Sequence, residues 1–169
     1  MKKRTIARYT VTVALIAAIY VCLTLLSSAF GLAYAGLQFR LSEALNVLAA
    51  VTPAAIPGLT LGCFLSNLTS PFGLLDIALG SLATLISAIL IRLISRREHK
   101  IDPLLFPLPP AILNGIVVGF VSVLFADGGA ASTVFAITFA QVFASEVIVM
   151  LALGYPLFKY GKSPLKKLI

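Results

Sequence analysis

Acidic residues are scarce in this chain. Only 6 of its 169 residues are aspartate or glutamate, and charged residues of both signs make up 11%, where a soluble domain carries about a quarter. Too few charges remain to cover a water-facing surface, and 60% of the residues are hydrophobic, with a mean hydropathy of +1.06. Histidine is nearly missing: the one present, His99, leaves no histidine-based zinc site. Cys22 and Cys63 both lie within apolar stretches, so neither a disulfide framework nor a ligand cluster is indicated. There is no Gly-x-x-x-x-Gly-Lys-Ser/Thr phosphate loop. A Ser/His or Cys/His constellation of the kind a membrane hydrolase needs is also missing. Any ATP hydrolysis must come from a partner, an intramembrane enzyme is disfavoured, and no catalytic residue, metal ligand or cofactor is expected.

What is present is base, and it is clustered. Twelve of the 13 lysines and arginines form three groups: Lys2, Lys3, Arg4 and Arg8; Arg92, Arg96, Arg97 and Lys100; Lys159, Lys162, Lys166 and Lys167. Each group abuts a long apolar stretch, and positive charge beside a membrane span tends to stay cytoplasmic. All three groups can be cytoplasmic only if an even number of spans separates each from the next. The net charge of +7 lacks the aromatic interleaving of a nucleic-acid surface. Attraction to anionic lipid of the inner leaflet explains it more simply.

A span needs about 20 apolar residues. Tyr9–Phe30, Leu74–Ile94 and Thr133–Leu157 meet this, and Pro110–Phe125 follows a run of prolines suited to a helix's first turn. Between them, Leu41–Val51 and Ile56–Leu68 read as two short helices, because Pro53, Pro57 and Gly58 interrupt a continuous one. The resulting expectation is an all-α integral membrane protein: one domain over residues 1–169, six transmembrane helices, both termini cytoplasmic. Merging 41–68 into one span would place the central basic group outside. The outer loops would be Gly31–Arg40, Thr69–Gly73 and Ala126–Ser132, holding one acid, Asp127, and one base, Arg40. The basic start, the apolar run and Ala33-Tyr34-Ala35 mimic a secretory signal. Tyr9–Phe30 exceeds the signal core of about 7–15 residues, so a retained first helix is expected.

Short or Pro/Gly-interrupted segments point to a transporter's binding site, and ionisable groups inside a membrane are site candidates by default. Those at membrane depth are Arg40, Glu43, Asp76 and Glu146, joined by the amides Asn46, Asn67, Asn114 and Gln141. Arg40, Glu43 and Asn46 share one side of the second helix, although Arg40 and Glu43 can equally pair with each other. Asp76 suits the positive end of the fourth helix whether or not it meets a ligand. Glu146 and Asn114 fall near mid-helix. With no base at its depth, Glu146 must be neutral, hydrogen-bonded to a neighbour such as Asn114, or matched by a ligand's donors. Gln141 is nearly one and a half turns away and a weaker candidate. Ala14 and Ala18, and Gly115 and Gly119, are small-xxx-small pairs that let helices approach closely.

Several stretches resemble the QueT family: Gln38-Phe39-Arg40-Leu41-Ser42-Glu43-Ala44-Leu45, Ala55-Ile56-Pro57-Gly58, Gly62 to Leu68, Gly73 to Thr84, and Pro109 to Gly115. That family comprises small substrate-binding membrane subunits, or S-components, of energy-coupling factor transporters. The resemblance implies a six-helix S-component with an outward-opening pocket. Its expected partners are a transmembrane coupling protein and two cytoplasmic ATPase subunits. It implies a queuosine precursor as substrate, a 7-deazaguanine such as queuine, preQ1 or preQ0, and places Ala14 and Ala18 against the coupling protein. A guanine-like edge offers a ring N–H and an exocyclic amine to one carboxylate, Glu43 or Glu146, while Asp76 suits a cationic aminomethyl tail. Aromatic faces such as Phe39, Phe64, Phe72 or Phe143 suit stacking on the base, worth about 1–3 kcal/mol. The expected substrate-binding residues are therefore Phe39, Arg40, Glu43, Asn67, Asp76, Asn114, Gln141 and Glu146. An S-component for another vitamin-like micronutrient and a stand-alone small-solute permease are the alternatives.

Overall fold

A computed structural model describes residues 2–33, 39–96, 102–126 and 130–168, with side chains over 6–33, 39–96, 102–126 and 130–161. Tyr34, Ala35, Gln38, Arg97, His99, Lys100 and Asp127, on which several of the expectations above fall, lie outside the described residues. The described residues are helical throughout, with no strand.

The chain begins with α1 (Lys2–Ala29). A glycine stops it: Gly31 takes φ +71°, and the amides of Gly31 and Leu32 turn back to the carbonyls of Ser28 and Ser27 at 2.8 and 2.9 Å. Next is α2 (Leu41–Val51), a tight 3-10 helix over Leu41–Val47 that relaxes to α over Leu48–Val51. After the break at Thr52–Ala54 comes α3 (Ala55–Asn67), in which Pro57 occupies the first turn. The break is therefore shorter than the prolines and glycine suggested. Gly73–Ser95 is α4, widened to π geometry over Asp76–Gly80. A single 3-10 turn, Pro103–Leu105, is capped by Asp102 Oδ1, which accepts from the Leu104 amide at 3.0 Å, and leads into α5 (Leu108–Leu124). Last is α6, running from Ala131–Val149 through a π turn at Met150–Gly154 into Tyr155–Leu168.

Four stretches are long and apolar enough to cross a membrane: Ile6–Ala29, Gly73–Ser95, Pro103–Leu124 and Ala131–Gly161. The shorter pair behave differently. Stretched by its 3-10 turns, α2 reaches ~20 Å, short of a ~30 Å hydrocarbon core. Every residue of α2 from Ser42 to Ala49 is buried. Irregular backbone at membrane depth persists where protein encloses it, and α1, α4 and α6 do so here.

Glycine sets how closely the neighbours approach. A Cβ on Gly58 would lie 3.0 Å from Ile16 Cβ, and one on Gly62 would lie 2.7 Å from Tyr20 Cβ, so α3 packs directly onto α1. In the same way Gly115 and Gly119 of α5 receive Phe139 and Phe135 of α6 at 2.9 and 3.0 Å. The Gly115/Gly119 pair thus forms the close interface its spacing suggested. Ala14 and Ala18 lie on the opposite, exposed face of α1, in one stripe with Val11, Leu15, Ile19 and Cys22.

Two contacts orient the short helices. The Arg92 guanidinium donates to the carbonyls of Ala49 and Ala50 at 3.2 and 3.4 Å, a cation at the C-terminus of α2. At the other end, Arg40 pairs with Asp76 near the start of α4. So α2 and α4 run the same way.

Candidate functional site

Polar side chains converge on α2 from both sides. From α1, Tyr20, Thr24 and Ser27 repeat at helical spacing along the buried face. The Tyr20 hydroxyl donates to Glu43 Oε1, Thr24 meets the Ser42 hydroxyl at 2.7 Å, and Ser27 Oγ accepts the Leu41 amide at 3.0 Å. The last bond satisfies an N–H that the first turn of α2 otherwise leaves open.

Glu43 is the most heavily supported carboxylate. Besides Tyr20, it accepts from Asn46 Nδ2 at 2.6 Å, and Asn114 lies nearby. Asn114 gives its amide to Glu146 Oε1 at 2.6 Å, bridging α5 and α6. Glu43, Asn114 and Glu146, taken singly from three helices, therefore meet at one point, and Glu146 bonds to the neighbour expected of it. Its second oxygen is different: Glu146 Oε2 is buried without a hydrogen-bond partner, as are Asn46 Oδ1, Asn67 Oδ1 and Ser87 Oγ. Leaving such a group unmatched costs about 1–3 kcal/mol, the usual mark of a site that awaits a ligand or solvent.

A second group lies at the N-terminal ends of α2 and α4. Arg40 Nη2 stands 3.5 Å from Asp76 Oδ2, and Arg40 Nε donates to the Ala33 carbonyl at 3.1 Å. Ser70 Oγ donates to the same Asp76 oxygen at 2.6 Å, and Asn67 Nδ2 donates to the Asp76 backbone carbonyl at 3.0 Å. The simple Arg40–Glu43 pairing gives way to this arrangement. Asp76, set in the π turn, holds its helix end against α2 and α3 through side chain and backbone together.

The remaining expected residues fare unevenly. Phe39 is half-buried beside Arg40. Gln141 is half-buried, and its carbonyl accepts from Ser145 Oγ at 3.0 Å, with no bond drawing its side chain to Glu146. Phe64 is 43% exposed, in an apolar groove with Ile56, Leu61 and Leu85. Phe72 meets Phe125 edge-on at 5.6 Å, and Phe143 stacks on Phe139 at 5.9 Å. Sequence reasoning missed Tyr20, whose signal was the polar repeat Tyr20, Thr24, Ser27 in an otherwise apolar helix. Gly58 and Gly62, four residues apart, were also readable as a close-packing pair.

Comparison with known proteins agrees with the helical membrane architecture. The QueT transporter family matches residues 10–162. The chain is 41% identical over 76 residues to a protein of Lactococcus lactis subsp. cremoris (strain MG1363) named queuosine precursor transporter QueT. That alignment covers 45% of this chain and 44% of the relative, so it spans under half the length of either. No solved structure matches. With four apolar helices of membrane length and a family match over most of its residues, this multi-pass membrane protein belongs to the QueT transporter family.

Proposed function

We propose that the chain is the substrate-capturing membrane subunit of an energy-coupling factor importer, taking a 7-deazaguanine queuosine precursor from outside. One observation carries the reading: in a polar centre within an apolar bundle, Glu146 bonds to Asn114 through one oxygen while its second, buried oxygen has no hydrogen-bond partner. Interior carboxylates in membrane proteins mark substrate pathways. A guanine-like base offers the N–H groups such a centre wants, and the name of the Lactococcus relative points to the same chemistry.

In this reading the two short helices count as spans, which makes six and puts all three basic groups on the cytoplasmic side. The parallel course of α2 and α4 supports that count. The Arg40–Asp76 group then lies toward the outside and Arg92 toward the inside. The exposed stripe of α1 containing Ala14 and Ala18 is the face offered to the coupling protein, because small residues admit a second helix closely. Two ATPase subunits complete the importer.

The test is a titration of the purified protein alone with queuine, preQ1, preQ0, guanine, riboflavin and biotin. Saturable binding of a deazaguanine, with guanine much weaker, is expected. Silence toward every deazaguanine from a folded protein would sink the assignment, and tight riboflavin or biotin binding would replace it with a vitamin S-component. Uptake by the chain without partner subunits would instead indicate a stand-alone permease.

A further inference from the structure

Three amides of the polar groups, the buried Asn46 and Asn67 and the half-buried Asn114, are all turned the same way. Asn46 directs Nδ2 at the Glu43 carboxylate at 2.6 Å, Asn67 directs Nδ2 at the Asp76 carbonyl at 3.0 Å, and Asn114 directs Nδ2 at Glu146 at 2.6 Å. A carboxylate or carbonyl accepts only, so these partners fix each amide's orientation. The Tyr20 and Ser70 hydroxyls likewise give their protons to Glu43 and Asp76, and Arg40 is held by Asp76 and the Ala33 carbonyl. Each of these donors thus reaches an acceptor of the protein itself. The atoms left open are Glu146 Oε2, Asn46 Oδ1 and Asn67 Oδ1, on residues 5%, 0% and 0% exposed. The two amide oxygens accept only, Glu146 Oε2 accepts when its carboxylate is ionised, and the Ser87 hydroxyl turns either way.

Resting on the function proposed above, we infer that this surface recognises its ligand through the ligand's N–H donors and is nearly blind to the ligand's acceptors. Glu146 is then the specificity-determining carboxylate, with Asn46 beside it, whereas Glu43 is a positioning residue already occupied by Tyr20 and Asn46. The ligand class is a planar base with several N–H groups on its rim, above all the exocyclic amine of a 2-aminopyrimidinone ring. A base lacking that amine leaves a buried acceptor unmatched.

The experiment titrates the purified full-length protein with three probes: 7-deazaguanine, 7-deazahypoxanthine, which lacks the 2-amino group, and 6-thio-7-deazaguanine, in which a poorer acceptor replaces the carbonyl oxygen. Loss of the amine is expected to weaken binding about 10- to 100-fold, and the thio exchange by no more than about threefold. In Glu146→Gln or Asn46→Ala protein, the penalty for losing the amine is expected to shrink, provided the variant melts cooperatively. If 7-deazaguanine binds and 7-deazahypoxanthine binds equally well, donor recognition is overturned while the proposed function stands. If no deazaguanine binds to folded protein, both are overturned.

Discussion

Two seams in this molecule are built with the same device and carry different chemistry. In the α1–α3 seam, Gly58 and Gly62 receive Ile16 and Tyr20; in the α5–α6 seam, Gly115 and Gly119 receive Phe139 and Phe135. Both bring helices together without a hydrophobic driving force, which the bilayer does not supply. The aromatic lodged in the first seam ends in a hydroxyl that reaches Glu43. Those of the second are purely apolar and stack on each other along α6 at 6.1 Å, leaving Asn114 to make the polar connection to Glu146. The first seam consumes the bonding capacity of its carboxylate, and the second leaves an oxygen open. Two buried glutamates thereby acquire two roles.

The comparison breaks most completely at Gly62. Even a methyl group at this position would sit 2.7 Å from Tyr20 Cβ. Leucine there drives a larger side chain into the same ring and is expected to destabilise by about 3 kcal/mol or prevent folding. Thermal melting in detergent reads this. Glutamine scanning separates the carboxylates next. Glu43→Gln is expected to lower stability by about 1.5–3 kcal/mol, since it weakens charge-assisted bonds from Tyr20 and Asn46. Glu146→Gln is expected to leave melting nearly unchanged yet weaken deazaguanine binding well over tenfold, more than about 1.4 kcal/mol. Equal effects of the two on both readouts would erase the distinction. Tyr20→Phe is a milder cut, about 1–2 kcal/mol of stability, because Asn46 still supports Glu43. At the small end, Ala18→Leu on the exposed side of α1 is expected to change stability by under about 0.5 kcal/mol. Co-purification with the coupling protein is expected to fall all the same.

Much of this is legible in the sequence, for identifiable reasons. Helix positions follow from apolar runs and proline punctuation, and the six helical segments lie within a few residues of expectation, apart from the start of α1 at Lys2 and the extension of α6 to Leu168. That extension is hidden because its last turns are lysine-rich and no longer apolar. The Asn114–Glu146 bond is legible because both residues sit at one depth with few alternatives. The Arg40–Asp76 pair is not, because a local i,i+3 partner, Glu43, competes for the same arginine and only the packing of α4 against α2 decides between them. The outward placement of Phe64 is not legible either, because an aromatic in an apolar helix carries no mark of the side it presents.

Sequence alone determined that this protein lives in a membrane, is built of helices and concentrates its few interior charges near two short helices. Those properties follow from composition and period, which need no knowledge of neighbours. The tertiary structure decided which charges are spent on one another and which remain open. Glu43 and Glu146 are the same residue type at similar burial, and only the direction of Tyr20, Asn46 and Asn114 tells them apart. Hydrogen bonding is directional and exclusive, so the role of each buried acceptor depends on side chains brought from other helices.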